Sequence, residues 1–372
     1  MITIIEALTK KQKADFVKFP FLLYKDHPFW VPPLIQDEID SFDATKNPAF
    51  ENADAYLYLA YKNNTVVGRI AAIINWDEVK IQKKLKVRFG WYDVVDDINV
   101  TARLLEKVIV LGIKNNLNHI EGPMGFSNLD KVGVITEGFA AIGSMITWYN
   151  YPYYSSHLEQ LGYSKEKEYL ENKFPFENVK LEFFEKAQEI IKKRYHVSAL
   201  NFTKTSDLMP YVDQMFDLFN KSYANLSSFV AITASQKSYF KKKYISFINP
   251  EYIKFVVDNN QQLIAFSIVM PSFSEALQKA KGRLFPFGWY HLLQARNKAK
   301  TVLFYLIGVH PDYQNKGVHA ILFKENHKTF TDKGILNCIR TPELADNNAI
   351  HLLWKNFKPE VFRRRCTYKK II

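Results

Sequence analysis

Residues 303–330 read LFYLIGVHPDYQNKGVHAILFKENHKTF. An apolar strand ends at Val309, a turn with Pro311 follows, Gly317 sits in a polar loop, and a helix begins directly after it. Glycine permits close backbone approach, and the first amides of a helix have no intrahelical acceptor. Together they make a seat for phosphate oxygens. A plain strand-to-helix connector has the same outline, so the segment taken alone fits either use.

Outward from this stretch, the strand covers Thr301–Val309, the helix Val318–Asp332, and a further strand Ile335–Ile339. Upstream, EYIKFVVDNNQQLIAFSIVMP (251–271) reads as two strands around a polar turn. AYLYLAYKNNTVVGRIAAIIN (55–75) repeats its length and pattern. Asparagine tolerates positive φ, so Asn63-Asn64 and Asn259-Asn260 suit tight hairpin turns. A strand at Val87–Val95 follows the first hairpin, then a helix with Val100, Leu104, Val108 and Leu111 on one stripe, then a short strand at Asn118–Glu121. Each half thus reads hairpin, strand, helix, strand, which points to an internal duplication. Phe183, Ala187, Ile190 and Ile191 recur at helical spacing between the halves. The boundary is placed near Phe176, giving units 1–176 and 177–372.

Hydrophobic residues make up 47% of the chain and charged residues 24%, a globular balance that excludes disordered and low-complexity classes. Two cysteines, Cys338 and Cys366, are too few for a disulfide framework or a Cys-rich zinc site, so no metal is expected. No signal-peptide pattern or membrane-length apolar run is present, and a cytoplasmic protein is expected. The formal net charge of +12 favours an anionic partner: a phosphorylated cofactor, a nucleic acid or a membrane surface.

The run Val309-His310-Pro311-Asp312-Tyr313-Gln314-Asn315-Lys316-Gly317-Val318-His319 resembles the acyl-CoA loop of the Gcn5-related N-acetyltransferases (GNAT), Gln/Arg-x-x-Gly-x-Gly/Ala after a Val-x-Pro-x-Tyr turn. Downstream, Asn347-Asn348-Ala349-Ile350-His351-Leu352-Leu353-Trp354 resembles the family's Asn-x-x-Ala-x-x-Leu-Tyr helix. PFWVPPL (28–34), EGPMGFSNLD (121–130), YNYPYY (149–154) and GRLFPFG (282–288) look like segments of a bacterial tandem group of this superfamily. The resemblance implies an α/β (α+β) fold of two tandem GNAT-like domains, each a mixed, mostly antiparallel sheet flanked by helices. It implies acetyl-CoA or another acyl-CoA as cosubstrate and direct attack by a small-molecule amine. By the same resemblance the strand through Ile307 and Val309 pairs with the pantetheine, and a backbone amide near Val309 polarises the thioester carbonyl. Gln314, Asn315, Lys316, Gly317, Val318 and His319 hold the pyrophosphate, and Asn347 reaches the pantetheine arm.

Three departures from the pattern bear on activity. His319 replaces the second small residue and either crowds the loop or, protonated, adds positive charge. Trp354 replaces a tyrosine that often protonates the leaving thiolate, and an indole N–H is a poor acid beside a phenol. In the first half the corresponding loop, Asp96-Asp97-Ile98-Asn99-Val100-Thr101, has two acids and no glycine, so only the second half is expected to bind CoA. His310, Glu343 and His351 are the titratable candidates for a general base. Each also reads as an ordinary turn or helix residue.

The insert 272–300 carries Lys279, Lys281, Arg283, Arg296, Lys298 and Lys300 with Phe285, Phe287, Trp289 and Tyr290. It suits a substrate lid, a membrane-surface patch, a nucleic-acid platform or a helical excursion covering the sheet. Gly-, Pro- and Tyr-rich loops in the first half make Glu137 and Tyr149 candidate substrate contacts. Arg363-Arg364-Arg365 is expected to be exposed or to lie near the cofactor's phosphates, and Cys338 to be a small core residue. Two alternatives to acyl transfer stand beside it: a non-catalytic acyl-CoA-binding protein, and a transferase that uses aminoacyl-tRNA.

Overall fold

Apolar and aromatic residues dominate the strand segments 53–75, 253–271 and 301–309, whereas 164–175 and 360–371 are rich in charge, and pairing all of them leaves few backbone groups unsatisfied. The computed structural model describes residues 1–224, 226, 229–245 and 247–372, apart from the side chain of Phe183. The strands are β1 (Ile2–Glu6), β2 (Ala53–Lys62), β3 (Thr65–Asn75), β4 (Lys86–Val94), β5 (His119–Gly122), β6 (Val134–Glu137), β7 (Ser164–Pro175), β8 (Ser198–Asn201), β9 (Ile253–Val257), β10 (Leu263–Pro271), β11 (Thr301–Val309), β12 (Asn337–Leu344) and β13 (Glu360–Ile371). The helices that position the site are α1 (Lys10–Leu23), α2 (Ile98–Lys114), α3 (Leu181–Tyr195), α4 (Val212–Tyr223), α5 (Ser274–Ala280), α6 (Gly288–Lys298), α7 (His319–Lys333) and α8 (Asn348–Trp354).

The sheet order is β1-β2-β3-β4-β5-β13-β7-β12-β11-β10-β9-β8, with β6 on β13. Neighbours are antiparallel except β4 with β5 and β11 with β12. A parallel pair needs a crossover, which α2 and α7 supply. The two halves therefore repeat one element order, as the hairpin-strand-helix-strand reading anticipates. They also exchange their last strands: β7 pairs with β12 of the second half, while β13 pairs with β5 of the first. The exchanged strands lie antiparallel to each other at the centre.

Local detail follows the residues with two differences. Asn63 and Asn64 adopt φ of 50° and 61°, as a tight hairpin requires. In the second hairpin the positive φ falls on Gln261 rather than on Asn259-Asn260. The cause is Asp258, whose carboxylate accepts the amides of Asn260 and Gln262 at 2.8 and 2.9 Å and opens a longer loop. Ala187 and Ile191 of α3 pack on the core of the second half, Ile190 is exposed, and the side chain of Phe183 lies outside the described residues. The strand after α7 extends beyond Ile339 to Leu344.

The arginine run is the larger correction. Arg363 and Arg365 are almost fully buried, because β13 is an interior strand and the period of two turns both to one covered face. Glu171 of β7 accepts from Arg365 Nε at 2.7 Å and from Arg363 Nη1 at 3.4 Å. Carbonyls of Val132, Gly133, Gly138, Ala141 and Trp148 accept the remaining guanidinium donors. Arg364 points the other way and pairs with Glu137 and Glu168 at the surface. A second buried network joins Glu78 to Arg88 (2.7 Å) and Lys86 (3.1 Å), and Lys86 to Glu121 (2.9 Å). Burial pushes the Glu78 pKa up, but Arg88 and Lys86 outweigh it and hold the carboxyl at about 2.

Removing Glu171 leaves two guanidinium groups buried without their counter-ion, so Glu171→Ala should cost about 3–5 kcal/mol in urea unfolding. Unchanged stability would show that the seam does not depend on this pair. The folded pKa of Glu78 lies below its ordinary 4.5, so its stabilisation is complete above that value and is lost as pH falls toward 2. Unfolding free energy measured through this window should decline less steeply in Glu78→Gln than in the parent chain.

Candidate functional site

β11 and β12 pair only from Thr301 with Asn337 to Phe304 with Arg340. Past that point β12 shifts register on β7, the two strands part, and a cavity of about 910 Å³ opens between them. Its walls are Phe304–Val309 of β11 and Thr341–Leu344 of β12. Tyr223 of α4 and Asn347, Ile350 and Trp354 at α8 close two sides. The remaining wall comes from the first half, through residues 127–132 and Ile146. Most of the lining side chains are aliphatic or aromatic.

At one end of the cavity is the loop 310–318. Pro311–Tyr313 makes a short 3₁₀ turn, and Asn315 and Gly317 take φ of 58° and 76°. A Cβ on Gly317 would meet Ile191 of α3 at 3.0 Å, so the glycine serves both the left-handed backbone and the close packing beneath the loop. Among the described residues, no backbone carbonyl accepts the amides of Gly317, Val318 or His319. These amides sit at the start of α7, which has no side-chain cap. That end of α7 is therefore a set of unsatisfied donors with a favourable dipole, suited to an anion. Lys316 adds a positive charge and lies over the rings of Tyr195 and Tyr313.

The candidate residues divide by position. Ile307, Val309, Gln314, Asn315, Val318, His319, Glu343 and Asn347 all line the cavity. Gln314 Nε2 donates to the Val309 carbonyl at 3.2 Å, and Asn347 caps α8 by accepting the Ile350 amide at 3.3 Å. Burial holds the His319 imidazole pKa below its ordinary value, so of its two readings the neutral, space-filling one fits. Glu343 is ion-paired with Arg340. Lys316, Gly317, His310 and His351 do not line the cavity. His310 Nδ1 accepts the Asp312 amide at 3.3 Å within the turn, and the His351 ring donates to the Leu344 carbonyl at 3.1 Å.

Glu137 and Tyr149 also lie away from this cavity. Glu137 is bound to Arg364, and the Tyr149 hydroxyl is shared between His27 and the Phe139 carbonyl. Trp354 is fully buried, packed against Phe304 and Phe323 with centroids 4.8 and 5.0 Å away, and the Arg340 guanidinium lies 5.0 Å from its ring. Its Nε1 has no partner among the described residues. Cys338 is a buried β12 residue whose thiol pKa burial pushes up, as a core role requires.

In the first half the equivalent helix start is capped from within. The Asp97 carboxylate accepts the Asn99 amide at 3.0 Å and pairs with Lys62, while Asp96 holds His157. Carboxylates fill the place an anion would take.

Three cavity groups are not among the site residues expected from the sequence. The Tyr223 hydroxyl donates to the Ile307 carbonyl at 3.0 Å, and burial lifts its pKa to about 12. The Tyr305 hydroxyl donates to the Leu129 carbonyl at 3.4 Å, tying the two halves across the cavity. Asp130 is half-buried, accepts the Ser127 amide at 2.8 Å, and has its pKa raised by desolvation of its carboxyl. The run EGPMGFSNLD marked its loop as irregular, but not which side chain would face the cavity. Among the described residues no cluster of His, Cys, Asp and Glu is placed to hold a metal. No described helix is long and apolar enough to cross a membrane.

Because Trp354 acts through its ring, Trp354→Ala should destabilise the chain by about 3–5 kcal/mol. Trp354→Phe should cost clearly less, since it keeps the aromatic contacts and removes only an unpartnered N–H. Urea unfolding of both variants checks this ordering.

Comparison with known proteins agrees with this architecture. No family model matches the chain. Protein YghO of Escherichia coli (strain K12) is 27% identical over 374 residues, covering 98% of this chain and 94% of that protein. Bacterial ceramide synthase of Caulobacter vibrioides (strain NA1000 / CB15N) is 25% identical over 310 residues, covering 81% and 78%. Among solved structures, a tandem GNAT protein from the clavulanic acid biosynthesis pathway superposes with a TM-score of 0.59 at 11% identity, over 100% of this chain and 98% of that one. A GCN5-related N-acetyltransferase from Sphaerobacter thermophilus gives 0.51 at 10% identity, over 100% and 95%. With its repeated crossover units, its parted central strands and these structural relatives, the chain has the tandem fold of the Gcn5-related N-acetyltransferases.

Proposed function

We propose that the second unit, 177–372, binds an acyl-CoA and transfers its acyl group to a primary amine that carries an apolar body. The observation behind this reading is the continuity of the cavity. It runs from Asn315, Val318 and His319 at the start of α7, along parted β11, to a mixed wall from the other half in which Leu129, Val132 and Ile146 stand beside Asp130 and Lys131. In this reading the loop amides and Lys316 hold the pyrophosphate, and the β11 edge aligns the thioester. The neutral amine attacks the acyl carbon, a C–N bond forms, the C–S bond breaks, and CoA leaves as the thiol after taking up the proton that the amine loses.

The mostly apolar lining fits a hydrocarbon acceptor better than a polyamine, because its carboxylates are Asp130 and an Arg340-paired Glu343, too few partners for several unsolvated ammonium groups. The name of the Caulobacter relative, a ceramide synthase, supports the same reading, a ceramide being the amide of a long-chain amine. Glu343 and Asp130 are the cavity carboxylates available to take the amine's proton. Glu343 is tied to Arg340, whereas Asp130 has no ion-pair partner among the described residues and desolvation raises its pKa above the ordinary carboxylate value.

A second reading, acyl-CoA binding without transfer, is favoured by one observation: Trp354 offers no acid where the family often has tyrosine. Thermal unfolding with acyl-CoA tests the shared part of both. Ligand at about 100 times its dissociation constant should add about 2.7 kcal/mol of stability, and Gly317→Trp or Lys316→Glu should remove most of the shift. Release of CoA thiol with a long-chain aliphatic amine, but not with spermidine, is the outcome expected for transfer. Binding without release from any amine would favour the second reading, and no thermal shift would overturn both.

A further inference from the structure

The insert between β10 and β11 is bolted down at its base and bare at its tip. At the base, Ser274 Oγ donates to the Gly143 carbonyl at 2.8 Å, and Gln278 Nε2 donates to the carbonyls of Pro28 and Trp30 at 2.8 and 3.0 Å. The Gly282 carbonyl accepts the Ile35 amide at 2.9 Å. Val31, Phe273, Ala276, Leu277 and Leu292 form a small core there, with Met145 against it. The insert is therefore a fixed part of the fold.

Apart from Leu292, the large apolar side chains of its tip lie outside that core. Leu284, Phe285, Phe287, Trp289, Tyr290 and Leu293 are all exposed, Phe285 at 79% and Phe287 at 69%. Elsewhere exposed apolar side chains are scattered, which is ordinary, whereas six within ten residues form a patch. The Trp289 indole N–H is already satisfied by the Pro286 carbonyl at 3.0 Å. Arg296 Nε donates to the Phe247 carbonyl at 2.8 Å and joins the tip to a second exposed pair, Tyr244 and Phe247.

The charge around the patch has one sign. Residues 272–300 contain six Lys and Arg and a single acid, Glu275. Lys279, Lys281, Arg283 and Lys298 are exposed and have no ion-pair partner among the described residues. Aromatic rings at a tip, aliphatic side chains beside them and unpaired cations around them match a bilayer interface, where rings sit at headgroup depth and cations meet anionic lipid. Leu284 and Leu293 add nothing to base stacking, which favours a bilayer over a nucleic acid.

We infer that the tip of the insert, Leu284–Leu293, docks the protein on the surface of an anionic bilayer, with Phe285, Phe287 and Trp289 entering the headgroup region. The base of the insert adjoins the cavity: Met145 packs on it, and the adjacent Ile146 lines the cavity wall. The inference does not rest on acyl transfer, since the patch and its charge are independent of the loop at Gly317.

Co-sedimentation of the full chain with vesicles tests it, using equimolar phosphatidylglycerol and phosphatidylethanolamine against phosphatidylcholine alone. The chain should pellet with the anionic vesicles and far less with the neutral ones, and added salt should weaken the binding without abolishing it. The triple variant Phe285→Ser, Phe287→Ser, Trp289→Ser should lower the partition coefficient at least about tenfold, because it removes the apolar share of binding. Its melting temperature and its response to acetyl-CoA should stay those of the parent, which separates a lost surface from a lost fold or a lost acyl-CoA site. A parent chain that stays in the supernatant, or a triple variant that pellets equally, overturns the inference. So does tRNA binding that the triple variant loses while neither protein binds vesicles.

Discussion

The buried contact of Glu171 with Arg363 and Arg365 is the constraint on which the architecture turns. β7 and β13 are the two strands the halves exchange, and they meet at the centre of the sheet. Two guanidinium groups inside a protein are tolerable only with a counter-ion and a full set of acceptors. Glu171 supplies the first, and the carbonyls of the 132–148 segment supply the second. The same contacts fix that segment of the first half over the seam, so the wall it lends to the cavity is held by the charges that join the halves.

The cavity exists because a parallel pair is left unfinished. β11 and β12 zip together for four residue pairs and then part, which exposes backbone edges and a volume that neither half fills. Tyr223 and Tyr305 use their hydroxyls to hold β11 in that opened position from both sides. The equivalent helix start in the first half carries its own carboxylates. The molecule thus has one end of one helix suited to an anion and a second that has satisfied itself. The cavity and the base of the insert lie on adjoining parts of the same scaffold.

Much of the fold was legible in the residues. Turn chemistry at Asn63-Asn64, the helical stripe of Val100, Leu104, Val108 and Leu111, and the strand-turn-glycine-helix order at 301–333 are local signals with local causes. The anion-ready loop was legible for the same reason, since a glycine in the left-handed region at a helix start does its work within a few residues. The Asn259-Asn260 turn misled because Asp258, one residue earlier, competes for the same amides.

Contacts between near neighbours along the chain thus account for the hairpin-strand-helix-strand series of each half, its repetition and the loop at Gly317. Tertiary structure alone decided which strands the halves exchange, and with that the burial of Arg363 and Arg365, which as a basic run look like surface. It also decided that His310, His351, Glu137 and Tyr149 stand apart from the cavity while Asp130, Tyr223 and Tyr305 enter it. The physical reason is range. Helix periodicity, turns and caps are set by contacts a few residues apart, whereas a buried charge or a cavity wall is set by groups up to about two hundred positions away, such as Arg365 and Glu171, and no local pattern encodes that meeting.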